Sequence, residues 1–336
     1  MTNLRLFPVE LPSGLRASSI YTGPPKYGVP TLFGISGTST EEPDRRVSVV
    51  VGEWPERFAG PEPRVEREKR LAGRVDLDLH FGGKQAIFGE VQEGPDPPDL
   101  ISRKGDTARG VEITRLLSPQ RAKAAQEFES LRAGLLRHYP RRFAALRGHI
   151  AYVSVSAQGW IPEADAVSEV LADFVPFPAR FEGPMPEQLP SDFPIGRGEG
   201  FIVTAAAFQS RPDSVFYDAM GFEIALSHPS ILVEDEAWDI VAQRVARKDK
   251  PGVDDLVIAA GAPTDGGFAF PSDSVLGSLA LAAARTRALP QTNHIARVLL
   301  HLWTWRAVAE LSPSLSGYRL LCGDRGFERS FAPEAE

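Results

Sequence analysis

Two periodicities of apolar and polar positions run through the chain, one typical of strands and one typical of helices. In 110–114, apolar side chains alternate with Glu112 and Thr114, so the two sets face opposite sides of a strand. A second apolar stretch begins at Asp99, and the turn-forming residues 103–106 separate the two. The pattern therefore predicts a hairpin whose strands begin at residues 99 and 110.

Helical spacing of apolar positions predicts most of the remaining elements. In 118–138 the apolar side chains recur on one face, and Ser118 and Pro119 suit the N-cap and first position of a helix. A loop is expected over 176–200. The same reasoning predicts helices over 163–174, 232–248 and 272–287, and strands over 46–51, 148–155, 201–208, 254–259 and 295–305.

The stretch 62–93 admits two interpretations. Alternation predicts a hairpin with strands over 75–81 and 85–91, whereas apolar residues at helical spacing predict a single helix over 62–80. In the hairpin, acidic and histidine side chains would share one face as potential metal ligands. Such a face is more often only the solvated side of a sheet.

Composition excludes several classes of protein. The 336 residues contain no apolar run of membrane-spanning length, and the first residues lack the pattern of a signal peptide. The single cysteine, Cys322, rules out an internal disulfide framework, and one cysteine with six histidines does not suggest a structural zinc site. We therefore expect a cytoplasmic protein without membrane association, and a homodimer is compatible with the sequence.

Charge is distributed unevenly along the chain. The net charge of −7 argues against tight nucleic-acid binding, but residues 101–150 hold eleven Lys or Arg and only four Asp or Glu. Residues 151–240 hold three and fifteen, respectively. The basic segment is either a solvated surface or a surface that faces phosphates. Its predicted helix carries Arg121, Lys123, Arg132 and Arg137 on the polar face.

The predicted hairpin brings two carboxylates together. Asp99 and Glu112 would lie close at one edge of a sheet, held on rigid strands. Mg²⁺ commonly takes one or two protein carboxylates and keeps several waters, and such an ion can polarise a phosphate and activate water. The pair therefore indicates a candidate magnesium site.

The same residues resemble the PD-(D/E)XK nuclease superfamily. Pro98-Asp99, followed thirteen residues later by Glu112-Ile113-Thr114 and then a predicted helix, is similar to the Pro-Asp and acidic-x-Lys motifs of that family. The resemblance implies Mg²⁺- or Mn²⁺-dependent hydrolysis of nucleic-acid phosphodiesters, with Asp99, Glu112 and the carbonyl of Ile113 as metal ligands. It also implies an acidic residue on the preceding helix, for which Glu66 and Glu68 are both candidates.

The resemblance implies the fold as well. We expect an α/β protein with a mixed central sheet flanked by helices, in which 62–156 follows the α-β-β-β-α-β order of a restriction-endonuclease-like core with a C-terminal extension. The expected divisions are an irregular N-terminal segment over 1–60, the core over 61–160, a continuation of the same domain over 161–330 and a disordered tail over 331–336.

The chain departs from the family at the lysine of the second motif, where Thr114 stands. Variants with Glu-x-Thr take this lysine from elsewhere, and Lys248 and Lys250, at the end of the helix predicted over 232–248, are the best candidates. A positive charge at a helix C-terminus is also favourable without any catalytic role. Thr114 could hydrogen-bond water or substrate. The expected substrate-binding residues are Lys104, Arg115, Arg121 and Lys123.

The sequence thus predicts a metal-dependent nuclease, with DNA favoured over RNA as the substrate. The alternative is a catalytically inactive nuclease-like domain that binds nucleic acid or a protein partner, which Thr114 and the net negative charge favour. A lysine amine close to Asp99 and Glu112 would favour the enzyme over the binding domain.

Overall fold

A computed structural model gives the fold of the chain. It describes residues 15–22, 25–26, 29–30, 32–39, 46–53, 56–57, 63–117, 119–138, 146–155, 161–172, 193–207, 221–227, 230–264, 268–312 and 316–323.

The described residues form five helices and nineteen strands. The helices are α1 (Arg64–Phe81), α2 (Pro119–His138), α3 (Ala164–Ala172), α4 (Glu234–Lys248) and α5 (Pro271–Ala284). The strands are β1 (Leu15–Thr22), β2 (Pro25–Lys26), β3 (Val29–Pro30), β4 (Leu32–Ser39), β5 (Arg46–Glu53), β6 (Glu56–Arg57), β7 (Glu90–Glu93), β8 (Leu100–Lys104), β9 (Thr107–Leu116), β10 (His149–Val155), β11 (Phe193–Gly198), β12 (Phe201–Ala207), β13 (Glu223–Ser227), β14 (Ser230–Val233), β15 (Asp255–Ala260), β16 (Phe268–Ala269), β17 (Arg297–Leu302), β18 (Ala307–Leu311) and β19 (Tyr318–Cys322). Among the helices described, none combines the length and apolar character needed to cross a membrane.

The chain divides into two compact units. The first unit contains Met1–Gly37, Val49–Pro55 and Pro119–Ile231, and the second unit contains Thr38–Ser48, Glu56–Ser118 and Leu232–Glu336. In the first unit β11, β12, β10 and β13 form a sheet in that order. Its core contains Phe128, Leu131 and Leu135 of α2, which confirms the apolar face expected for that helix.

The second unit is built on a seven-stranded mixed sheet. The strand order is β19-β18-β17-β15-β9-β8-β7, in which β9, β15 and β17 are parallel and the other pairs are antiparallel. Every residue of β15 is buried, as expected for a strand covered on both faces. Leu71, Val75 and Leu79 of α1 belong to the core formed with this sheet. The expectation of an α/β fold with a mixed sheet flanked by helices is therefore confirmed.

The helical interpretation of 62–80 is correct, and the hairpin interpretation is wrong. α1 continues to Phe81, so Asp76, Asp78 and His80, the metal-ligand candidates of the hairpin, lie on a helix instead. The Asp76 carboxylate accepts hydrogen bonds from the backbone amides of Ile87, Phe88 and Gly89. Oδ2 of Asp78 forms a hydrogen bond with Nε2 of His301 at 2.8 Å. One buried face at helical spacing outweighs local alternation here because it supplies a larger apolar contact with the sheet.

Three further expectations differ from the structure. The segment 1–60, expected to be irregular apart from a strand over 46–51, contains strands β1 to β6, and β11 lies inside the expected loop 176–200. The expected division at residue 160 is not where the contacts divide, since Pro119–Ile231 groups with the first unit. The expected tail 331–336 lies outside the described residues.

The strand that pairs with β9 on the side away from β8 is not the one that the order of elements predicts. The expected core placed β10 in the same sheet as β9, but β10 pairs with β12 and β13. The position beside β9 is taken by β15, with Glu112 opposite Leu256 in parallel register. Both α2–β10 and α4–β15 are a helix followed by a strand, and the local pattern does not distinguish between them.

Gly110 lies where three segments of the second unit meet. A Cβ atom at this position would lie 1.8 Å from the carbonyl oxygen of Gly252 and 2.8 Å from Cγ of Pro98. Gly110 and Asp254 also exchange hydrogen bonds, from the Gly110 amide to the Asp254 carboxylate at 2.7 Å and from the Asp254 amide to the Gly110 carbonyl at 2.9 Å. The missing side chain therefore lets the connection after α4 and the turn before β8 contact β9.

We expect Gly110→Ala to lower the free energy of unfolding by about 1–3 kcal/mol, because the added methyl group must displace backbone atoms. Gly73→Ala is the matched control: a Cβ there meets no atom within 4 Å. In the interior of α1 this change should raise stability by about 0.5–1 kcal/mol. Chemical denaturation measures both, and a Gly110→Ala variant as stable as the parent would contradict the close approach.

Candidate functional site

Asp99 and Glu112 lie opposite each other on neighbouring strands. β8 and β9 pair in antiparallel register with Leu100 opposite Val111, and continuing this register by one residue places Asp99 opposite Glu112. Residues directly opposite in an antiparallel pair project on the same face of the sheet. Both are buried, each with 3% of its surface exposed.

Each of the two carboxylates is held by a backbone amide from the other strand. The Asp99 amide donates to Oε2 of Glu112 at 3.1 Å, and the Ile113 amide donates to Oδ2 of Asp99 at 2.9 Å. One oxygen of each carboxylate is thereby fixed. The orientation of the second oxygen follows from the first, so the pair is preorganised by the hairpin itself.

The second oxygen of each carboxylate contacts a positively charged side chain. Lys248, the last residue of α4, donates from Nζ to Oε1 of Glu112. Arg64, the first residue of α1, donates to Oδ1 of Asp99. The Lys248 side chain is 18% exposed and the Arg64 side chain is 53% exposed. The lysine is therefore largely enclosed, whereas the arginine has one side open to solvent.

Arg64 also contacts two further acidic side chains. Its Nε donates to Glu68 at 2.7 Å and its Nη1 to Asp96 at 3.2 Å. The hydrogen bond with Glu68 raises the pKa of Arg64 above its usual value, although burial opposes this shift. Burial raises the pKa of Glu68, and the hydrogen bond from Arg64 only partly offsets it. Desolvation therefore dominates at Glu68, which marks it as an enclosed carboxyl group.

The structure distinguishes the two acidic candidates on α1. Glu68 is buried and lies beside Arg64 and Asp99. Besides burial, the negative charge of Asp99 raises the pKa of Glu68. Glu66 is exposed and pairs with Lys69 at 2.9 Å. The sequence left this choice open because both residues fit the spacing, and only the rotation of α1 against the sheet decides it.

Lys248 is positioned by the connection that follows it. The Asp249 amide donates to the carbonyl of Val245 at 3.1 Å, and the Asp249 carboxylate accepts from the backbone amides of Asn293, His294 and Ile295 at 2.7, 2.8 and 3.1 Å. The residue after Lys248 is therefore anchored to the segment that leads into β17. This anchor keeps the end of α4 in place over β9.

Other predicted residues lie near this pair or face away from it. Thr114 is half-buried on β9, two residues after Glu112 and thus on the same face. Ile113 donates its amide to Asp99, as described above. Arg115 is half-buried and reaches the carbonyl of Pro263 at 3.5 Å. Lys250 is exposed, and its side chain makes no hydrogen bond or ion pair with another described residue.

The remaining predicted substrate-binding residues are not brought to the pair. Lys104 lies at the opposite end of β8 from Asp99 and donates to the carbonyl of Ala86 at 2.7 Å. Arg121 and Lys123 belong to α2 of the first unit; Lys123 is exposed and lies 3.6 Å from Glu127, and the Arg121 side chain is outside the description.

The expectation that Arg132 belongs to a solvated basic face is wrong. It is 4% exposed and forms a buried ion pair with Glu223. The sequence pattern placed it on the polar face of α2, but an acidic residue on β13 of the same unit neutralises it within the core. A buried arginine of this kind is not accessible to a phosphate backbone.

Arg64 and Asp96 were not identified from the sequence. The only local signal for Arg64 is its spacing of four residues from Glu68, which suits an ion pair on a helix. Asp96 lies in the turn before β8, where a polar residue has many ordinary explanations. Their contact with the carboxylate pair depends on how α1 packs against the sheet.

Asp99 and Glu112 offer two carboxylates to a metal ion. Within the described ranges, no group of three or more Asp, Glu, His or Cys side chains is arranged to hold a metal by itself. Asp99 and Glu112 are nevertheless hard oxygen donors that each direct one oxygen at a cation, and Mg²⁺ commonly completes its shell with water. The Arg64 guanidinium acts as a stand-in cation on Asp99.

Asp249 gives a pH-dependent test of the anchor. Burial raises the pKa of Asp249, but three backbone hydrogen bonds lower it by more, so its pKa lies below the usual value. A lowered carboxyl pKa contributes stability that is present above the unfolded pKa, about 3.9, and is lost as pH falls through the folded pKa. We expect Asp249→Asn to cost about 1 kcal/mol at neutral pH.

The difference between Asp249→Asn and the parent should shrink below about pH 4, because there Asp249 takes up a proton in the unfolded parent while its carboxylate in the folded parent stays ionised to lower pH. Asp106→Asn, in the exposed turn between β8 and β9, is the control and should leave stability nearly unchanged at each pH. Denaturation curves at several pH values measure the difference. A gap that does not vary with pH would mean that the charge of Asp249 is not what anchors α4.

No family model, no curated protein and no solved structure matches this chain.

Proposed function

We propose that the second unit is a metal-dependent nuclease that hydrolyses phosphodiester bonds of nucleic acid, with DNA favoured over RNA. The observation that carries the proposal is the contact of Lys248 with Glu112, at a position where Asp99 lies opposite Glu112 in the β8–β9 register. Two buried carboxylates and a lysine amine, contributed by three separate segments, form the arrangement that the sequence resemblance requires.

The topology of the second unit supports the same proposal. With Pro119–Ile231 assigned to the first unit, the second unit reads α1, β7, β8, β9, α4 and β15. This is the helix–strand–strand–strand–helix–strand order of the PD-(D/E)XK superfamily, with β15 parallel to β9. We propose that this part of the second unit is the restriction-endonuclease-like core, and that β17, β18 and β19 extend its sheet.

Lys248 provides a substitute for the lysine that the second motif lacks. Thr114 stands where the family has this lysine, but Lys248 reaches the same carboxylate from the end of α4. An amine at this point can stabilise negative charge that develops on a phosphate or orient a water molecule. A lysine amine beside the two carboxylates is the feature expected of the enzyme rather than of an inactive binding domain.

The residues present fit a hard divalent cation. Asp99 and Glu112 would hold Mg²⁺ or Mn²⁺ through the oxygens that now contact Arg64 and Lys248, and the resemblance implies the carbonyl of Ile113 as a further ligand. When bound, the ion would polarise the phosphate and lower the pKa of a bound water. Arg64 is half exposed and can withdraw from Asp99 without disturbing the core.

The chain's own residues would then act in hydrolysis as follows. Asp99 and Glu112 would bind the cation, and Lys248 would stabilise charge on the phosphate. Thr114, two residues after Glu112 on the same face of β9, would donate a hydrogen bond to the substrate or to the attacking water. The oxygen of a water molecule forms a bond to phosphorus while one bridging P–O bond breaks. The water loses one proton to solvent, and the departing oxygen gains one.

The test is incubation of the purified protein with Mg²⁺ or Mn²⁺ and a panel of single- and double-stranded DNA and RNA. We expect cleavage that requires the metal, and we expect Glu112→Gln to abolish it while the fold survives. Mn²⁺ affinity should fall in the same variant, because a hard cation prefers an ionised oxygen. A parent protein that binds nucleic acid but never cleaves it would instead support the inactive binding domain.

Lys248 and Lys250 form a matched pair for the second test. We expect Lys248→Ala to lower the cleavage rate by about two to three powers of ten, the usual cost of losing one charge-stabilising group. Lys250→Ala removes the same charge at an exposed position two residues after Lys248, and this variant should cleave like the parent. Single-turnover rates measure both, and equal rates for the two variants would show that the proposed lysine is wrongly assigned.

A further inference from the structure

Arg244 lies one helical turn before Lys248. Residues four apart on a helix share a face, so both side chains project from the same side of α4. α4 packs against β9 and β15. Since α4 leads into β15 through a short connection and β15 is parallel to β9, α4 runs antiparallel to β9.

Because α4 runs antiparallel to β9, each position along α4 lies level with a definite residue of β9. Lys248 contacts Glu112, and one helical turn of about 5.4 Å corresponds to about two residues of a strand. Moving back along α4 to Arg244 therefore corresponds to moving forward along β9 from Glu112 to Thr114. Thr114 shares the face of Glu112, so this register places Arg244 level with Thr114, next to Arg115, whose charge acts on Arg244.

The electrostatic surroundings of Arg244 are unfavourable. Arg244 is half-buried, and burial lowers its pKa; the like charges of Arg247 and Arg115 lower it further. Within the described part of the chain, its side chain forms no hydrogen bond and no ion pair with an acidic residue. A partly buried guanidinium is normally paired, because removing it from water is costly without a counter-charge.

Thr114 provides a second polar group at the same place. Its side chain is half-buried, and its hydroxyl has no hydrogen-bond partner among the described residues. A hydroxyl can donate one hydrogen bond, and a guanidinium can donate two in parallel to the oxygens of a phosphate. Together they offer three donors and a positive charge, which is the chemistry that recognises a phosphate group.

We propose that Arg244 and Thr114 bind one phosphate group of the nucleic-acid backbone, next to the phosphate positioned by Lys248. This inference rests on the proposed nuclease function for the identity of the ligand. An anion at Arg244 would relieve the repulsion from Arg247 and Arg115. It would also give Thr114 a role that differs from that of the lysine it replaces in the motif.

The test measures binding of a short fluorescent oligonucleotide by anisotropy over a series of salt concentrations, with EDTA present to prevent cleavage. We expect Arg244→Gln to weaken binding by about tenfold or more and to reduce the slope of log affinity against log salt by about one unit. Arg244→Lys keeps the charge without the two parallel donors and should give an intermediate affinity with the parent slope.

Two further variants complete the design. Thr114→Val should weaken binding by a few fold without changing the salt slope, since it removes a hydrogen bond and no charge. Arg319→Gln removes an exposed arginine paired with Glu310 on the β18–β19 edge, and it should bind like the parent. If Arg244→Gln does not fold, Arg244→Lys and Thr114→Val decide the outcome alone.

A second measurement separates a binding role from a structural one. Without ligand, Arg244→Gln should melt at the same temperature as the parent or higher, because it removes an unpaired, partly buried charge. Inorganic phosphate should raise the melting temperature of the parent and leave that of Arg244→Gln unchanged. A lower melting temperature without ligand, together with normal oligonucleotide binding, would overturn the phosphate site.

The outcomes distinguish this inference from the proposed function. If the parent cleaves nucleic acid and Arg244→Gln binds it as the parent does, the phosphate site is wrong and the nuclease proposal stands. If the parent neither binds nor cleaves nucleic acid but phosphate stabilises it through Arg244, the site holds a free phosphate and the nuclease proposal fails. If phosphate and oligonucleotide both leave the parent unaffected, and the parent does not cleave nucleic acid with Mg²⁺ or Mn²⁺, both proposals fail.

Discussion

The repulsion between two buried carboxylates is the constraint on which the second unit depends. Asp99 and Glu112 lie opposite each other on β8 and β9, and both are almost fully removed from water. Two buried charges of the same sign repel each other, and the burial of each is costly unless hydrogen bonds and opposite charges compensate for it. Two backbone amides and the side chains of Arg64 and Lys248 supply that compensation. Removing either cation would leave a buried carboxylate without its partner.

The compensation requires segments that are far apart in the sequence to meet at one point. Arg64 begins α1, Lys248 ends α4, and the carboxylates lie on the hairpin between them. Contacts outside the carboxylate pair hold these segments together. Gly110 admits the backbone of Gly252 beside β9, and Asp249 fixes the residue after Lys248. The buried carboxylate of Asp255 accepts from Arg109 and Arg297 at 2.8 Å, which joins β9, β15 and β17 at the same level.

The charges around the site are arranged in two groups. Asp99, Glu112 and Glu68 form an acidic group whose cations, Arg64 and Lys248, are provided by the chain. Arg244, one turn further along α4, has like-charged neighbours instead of acidic partners within the described residues. A phosphodiester backbone with an associated divalent cation would satisfy both groups, since the cation suits the carboxylates and a phosphate suits the arginine. Under the proposed function, this arrangement would give a chain of net charge −7 a local site for a polyanion.

The sequence by itself determined the elements whose patterns are local. The hairpin of β8 and β9 follows from alternation around the turn at Gly105 and Asp106, and the pairing of Asp99 with Glu112 follows from the period of two in each strand. Most helices follow from their apolar faces, as α2 and α4 do. Lys248 could be proposed because a helix that ends just before a core strand delivers its last residues to the sheet edge.

Only the tertiary structure decided which of several equivalent patterns is used. It selected Glu68 over Glu66 and Lys248 over Lys250 through the rotation of α1 and α4 against the sheet. It placed β15 rather than β10 beside β9, although both follow a helix. It turned Arg132 inward to Glu223 and brought Arg64 to Asp99. These outcomes depend on pairings between residues more than thirty positions apart, and the local sequence carries no record of which partner a charged side chain will meet.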